Sequence, residues 1–176
     1  MSSPRVLASF FPYAAAAFAV VFLVVEHFNG GIKTHHFLAR ADLPGFSNWL
    51  SLLVLPLLGI TVAVREVALR TKLQGTASTS RLAVAAAFAA VYGAALSASF
   101  LFGLEQLSLV LFGSLFLISV ALPVYRAEYI LGFVVGMTIA FGSVIPLVFA
   151  VVFATLSYVA RRVVSAVVSA IRKPRR

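Results

Sequence analysis

The chain has 176 residues, 62% of them hydrophobic and 11% charged, against roughly 25% charged in an ordinary soluble domain, so a water-soluble fold of this length could not hide its apolar surface. Lys and Arg number 14 against 5 Asp and Glu, but they sit between and after long apolar runs. The excess therefore reads as positive-inside bias and attraction to anionic lipid, with no nucleic-acid-binding module beside it. Cysteine is absent, which excludes disulfides, thiolate metal sites and a thiol nucleophile.

The first predicted span is 7–28, with about 20 apolar positions, the length a helix needs to cross roughly 30 Å of hydrocarbon. Only Arg5 precedes it and the apolar run is long, so it reads as a retained helix, not a cleaved signal. The polar stretch that follows, EHFNGGIKTHHFLARAD at 26–42, holds every histidine of the chain. Gly30 and Gly31 suit a tight turn, and Pro44 with Gly45 stops any helix before the second span. That span covers 46–64, with Ser47 as N-cap and Phe46 and Trp49 at interfacial depth. Residues 65–81, REVALRTKLQGTASTSR, read as a soluble loop because of their charges, Gly75 and Ser/Thr cluster.

The third span, 82–103, is Ala-rich, and Ala86, Ala90, Gly93 and Ser97 recur at helical spacing as a narrow packing face. A turn with Glu105 leads to a fourth span, 107–124, ending near Pro123 and Arg126. Glu128 is expected to pair locally with Arg126. Residues 129–160 then run without a charge, and as one helix they would extend about 48 Å, far beyond the bilayer core. Gly142, Ser143 and Pro146 mark a break near the middle and a candidate pathway element. Gly132, Gly136 and Ala140 form a second small-residue seam on the segment before it. A break there puts Arg5, the 65–81 basic residues, Arg126 and the tail on one side, leaving only Lys33 and Arg40 on the other, as the positive-inside rule prefers. In the tail, Val163, Val164, Val167, Val168 and Ile171 share one helical face before a basic cluster, the pattern of a helix lying on anionic lipid.

The expected fold is all-α: a polytopic transmembrane helix bundle over 1–160, a single domain with six spans, or five if 129–160 is one long kinked helix. A basic amphipathic tail over 161–176 adds a short interfacial helix, and both termini lie in the cytoplasm of a bacterial inner membrane. With six spans, Glu26, His27, His35, His36, Asp42 and Glu105 share the outer face, a donor set for a divalent metal ion. The bland alternative is polar loop residues at headgroup level. No part of the run has the HExxH spacing, and adjacent histidines cannot both lie along one side of a regular helix.

No ionisable group falls near the centre of any predicted span, which argues against proton relays and ion-coupled carriers. Buried polar candidates are limited to groups such as Ser97, Ser99, Ser114, Ser119 and Thr138, which can also satisfy themselves on their own helix backbones. No GxSxG motif is present. Three functions remain: a non-catalytic accessory, assembly or scaffold subunit, alone or as a homo-oligomer; a passive channel, facilitator or metal permease; and a metal-dependent enzyme at the outer face. The missing motifs favour the first.

Overall fold

The structure, a computed structural model, describes residues 10–36, 40, 42, 44–73 and 77–172. The described residues form six helices, α1 (Phe10–Phe28), α2 (Ser51–Leu73), α3 (Ala77–Leu101), α4 (Glu105–Ala121), α5 (Ala127–Phe141) and α6 (Val144–Arg172). Between α1 and α2 lie two short antiparallel strands, β1 (Thr34–His36) and β2 (Gly45–Ser47), with Thr34 opposite Ser47 and His36 opposite Gly45. A 3-10 turn, Asn48–Leu50, joins β2 to α2, and the Ser47 hydroxyl at its N-cap accepts from the Trp49 amide.

The described residues are all-α apart from that hairpin, and four of their helices are long and apolar enough to cross a membrane: α1, α2 with its leading turn, α3 and α6. The apolar helices α4 and α5 have 17 and 15 residues, about 25 and 22 Å at 1.5 Å per residue. Large side chains such as Phe28, Phe88, Val91, Leu109 and Leu117 point outward. A soluble monomer does not expose an apolar surface so extensive.

Helix α5 is the centre of the bundle, packing on α3 most extensively and also on α2 and α6. The small residues of its seam explain how. A Cβ at Gly132 would land on the Ala86 carbonyl oxygen and one at Gly136 on that of Ala90, while one at Gly93 would lie 2.6 Å from the Phe133 carbonyl oxygen. The α3 face of Ala86, Ala90 and Gly93 thus receives the α5 glycines, and the Ser97 hydroxyl crosses the same contact to the Gly136 carbonyl at 3.0 Å. Ala140 continues the α5 seam to the border of a cavity. Gly59 plays the same part for α1, since a Cβ there would sit 2.7 Å from the Phe11 carbonyl oxygen.

Residues 129–160 are not one rod. Helix α5 stops at Phe141, Gly142 takes φ 66°, and α6 starts at Val144, two residues before Pro146. Proline is tolerated in a first turn, where its missing N–H has no helical partner to lose. Gly142 and Ser143 are buried, as irregular backbone between apolar helices must be.

Three expectations are corrected. Residues 65–81 are helical on both sides of Gly75, which lies outside the described residues together with Arg5 and the basic cluster at 173–176. Arg65, Glu66 and Arg70 are competent helix formers, and the Glu66–Arg70 pair, at 2.6 Å, is an i,i+4 contact that only a helix provides. Glu128 pairs with Arg65 at 3.1 Å, not with Arg126, tying α5 to α2. Residues 161–172 are not a separate interfacial helix but the end of α6, because no helix breaker follows Pro146 before Pro174. The stripe from Val163 to Ile171 is exposed along this extension.

Candidate functional site

The turn at 142–143 lies under the hairpin. The Ser51 hydroxyl, at the start of α2, donates to the Ser143 hydroxyl at 3.0 Å, and a Cβ at Gly142 would strike Asn48 Oδ1. Asn48 is 2% exposed. Its amide donates to the Glu26 carboxylate at 2.7 Å, and its backbone N–H donates to the Lys33 carbonyl at 3.0 Å. One asparagine therefore joins the end of α1, the hairpin and the α5–α6 turn.

Glu26 is buried with one carboxylate oxygen on Asn48 and the other without a hydrogen-bond partner among the described residues. His35, half-buried on β1, feels that carboxylate. Burial pushes the imidazole below its ordinary value; Glu26 opposes the shift and Lys33 adds to it. His35 is thus held neutral, able to donate and to accept.

Beside this cluster lies a cavity of about 840 Å³ between the hairpin, the α3–α4 turn, α5 and α6. Thr34, His35, His36, Ser99, Glu105 and Ser108 supply its polar groups, and Phe100, Phe112, Phe133, Met137, Phe141 and Phe149 its apolar walls. Its volume falls within the range of about 300–1,000 Å³ typical of small-molecule sites. The Ser108 hydroxyl donates to that of Ser99 at 2.8 Å, which donates to the Leu96 carbonyl at 2.8 Å. Glu105 stands exposed in the first turn of α4, where the helix dipole favours a carboxylate.

The six donors expected to share a metal ion are dispersed. Three of them, His35, His36 and Glu105, border the cavity. Glu26 is engaged by Asn48, Asp42 by Arg40 at 2.8 Å, and His27 is exposed with its ring edge-on to Phe28. Among the described residues no three such side chains lie close enough together to hold a metal.

Asn48 and Ser108 are site residues that sequence reasoning did not single out. Ser99, a buried polar candidate from the sequence, bonds its own helix backbone, as do Ser114, Ser119 and Thr138. Ser97 instead crosses to α5.

At the opposite end of the bundle, Glu66 is fully buried and accepts from Arg70 and Thr79, joining α2 to α3. The Ser157 hydroxyl donates to the Leu122 carbonyl and Arg161 to that of Ala121, closing α6 on α4. Comparison with protein-family models, with curated proteins and with solved structures finds no match in any of the three.

Proposed function

We propose that this chain is a six-pass integral membrane protein that binds an amphiphile in the cavity beneath its hairpin, at the outer face, and acts as a non-catalytic binding or accessory component. The observation that carries the reading is that cavity, polar at the hairpin and beside the α3–α4 turn and lined elsewhere by aromatic and aliphatic side chains. Such a division matches a ligand with a polar head and an apolar body.

Six crossings are supported by contacts at both ends of the bundle. Ser51 meets Ser143 where Arg65 meets Glu128 further along the same helices, so α2 and α5 run antiparallel. Ser99 meets Ser108 across the α3–α4 turn. The short α5 packs at the centre of the bundle and the short α4 against α3 and α6 at its edge, the long helices set the thickness, and a bilayer accommodates a short span by local thinning. On this reading the basic residues of α2, α3 and α6 face the cytoplasm, in keeping with the positive-inside rule and a bacterial inner membrane.

Two features favour binding over transport or catalysis. The buried carboxylates Glu26, Glu66 and Glu128 lie toward helix ends and are engaged by Asn48, Arg70 and Arg65, whereas ion-coupled carriers set such groups along the pathway. The cavity serines hydrogen-bond each other and a backbone carbonyl, not the base that a nucleophilic hydroxyl requires.

Native mass spectrometry of the protein purified in mild detergent tests the proposal. The wild-type chain retains a stoichiometric amphiphile, and Ala140→Trp, which fills the cavity from α5, loses it while keeping its helical circular dichroism. Equal retention by both, or none by the wild type, contradicts the reading.

A further inference from the structure

A second cavity, of about 250 Å³, lies between the same four helices toward the other end of the bundle, with Leu115, Leu122, Tyr129 and Ile130 among its lining residues. Phe133 borders both cavities. Beside it Phe112, from the larger cavity, meets Phe153, from the smaller, edge-to-face at 5.9 Å between ring centroids. Aromatic side chains thus stand where the two cavities meet.

We infer that the two cavities are one groove divided by an aromatic partition, and that its ligand is a single-chain amphiphile longer than one leaflet is deep. The inference rests on the proposed binding site beneath the hairpin and names its ligand class. Along α4 the linings run from Glu105 to Leu122, about 25 Å at helical rise. A hydrocarbon core of about 30 Å gives each leaflet about 15 Å, so the chains of an ordinary diacyl lipid end near the partition. A longer chain passes Phe133 and fills the lower compartment, whose walls offer scarcely any polar group. Polar groups at one end only fix the orientation, with the head at His35, His36 and Glu105 and the tail toward Leu122.

Binding of farnesol, geranylgeraniol and solanesol to the full-length protein in detergent, measured by competition and by the shift in unfolding temperature, tests this. In the wild type, affinity rises at least about tenfold between farnesol and the longer prenols, as added buried methylenes require. Leu122→Trp, at a half-exposed position, plugs the lower compartment, removes that gain and leaves farnesol binding unchanged. Phe133→Leu thins the partition and enlarges the gain. Farnesol bound with no length dependence, or a length dependence unaffected by Leu122→Trp, overturns the single groove and leaves the upper site standing. Failure of every prenol to bind overturns the single groove, and an amphiphile still retained by the wild type in native mass spectrometry then leaves the upper site standing.

Discussion

Asn48 is the residue on which the hairpin end turns, because among the described residues it alone supplies a hydrogen bond to the buried Glu26 carboxylate. Asn48→Ala strips that partner and leaves a carboxylate desolvated, a loss of about 1–3 kcal/mol or more. A lower unfolding temperature in detergent is expected, and Glu26→Gln in the same background recovers part of it by removing the charge. Unchanged stability of Asn48→Ala would mean that Glu26 is hydrated. His35 adds a pH dependence of definite sign. Its native form is neutral, held below 6.5 chiefly by burial with Lys33 assisting and Glu26 opposing. As the pH falls through 6.5 toward the lowered native value, the unfolded chain takes up the proton first, so stability present above that window is lost within it. The fluorescence of Trp49, the only tryptophan, reports the hairpin, and its acid transition should disappear in His35→Asn. Sequence marked Glu26 and His35 as chemically interesting but could not pair Glu26 with Asn48, which lies across the hairpin. Hydroxyls bonded to their own helix turn were readable, because their acceptors lie within one turn.

The helices show the same division between local and non-local information. Gly132 and Gly136 announce a close approach by their spacing, yet only the packed structure shows that α3 is what approaches. Gly136→Ala drives a methyl into the Ala90 carbonyl and should cost about 1–3 kcal/mol through backbone displacement. Gly113→Ala on α4 meets nothing within 4 Å and should stabilise by about 0.5–1 kcal/mol, since alanine loses less backbone freedom in a helix. Unfolding temperatures moving in opposite directions check both, and a Gly136→Ala protein as stable as wild type would mean that the α3–α5 contact is looser than described. The break at 142–143 was legible because Gly, Ser and Pro fall where an unbroken helix would overrun the bilayer. The extension of α2 through Leu73 was not, because charge inside an apolar chain imitates a loop. The three-residue strands THH and GFS are too short to announce themselves, and the 161–172 segment lacks any residue that would separate it from α6.

A sequence of apolar runs gives the number and order of helices but not the gaps between them, so the cavity under the hairpin could not be anticipated. It exists because α4 leans on α3 and α6 through Tyr92–Ser114 and Phe112–Phe149 contacts while α5 is drawn onto α3 by its glycines. The same geometry turned an expected cluster of six metal donors into three cavity-lining groups and three engaged elsewhere. All of this requires that the hairpin and the α6 extension lie on opposite sides of one bilayer. The cysteine-free chain allows single-cysteine variants Lys33→Cys, Phe102→Cys and Ser169→Cys to be labelled in intact cells with a membrane-impermeant maleimide. Labelling at positions 33 and 102, with position 169 protected until the membrane is opened, is the result that the six-pass bundle requires. Labelling of 33 and 169 from the same side would contradict it, and with it the site beneath the hairpin.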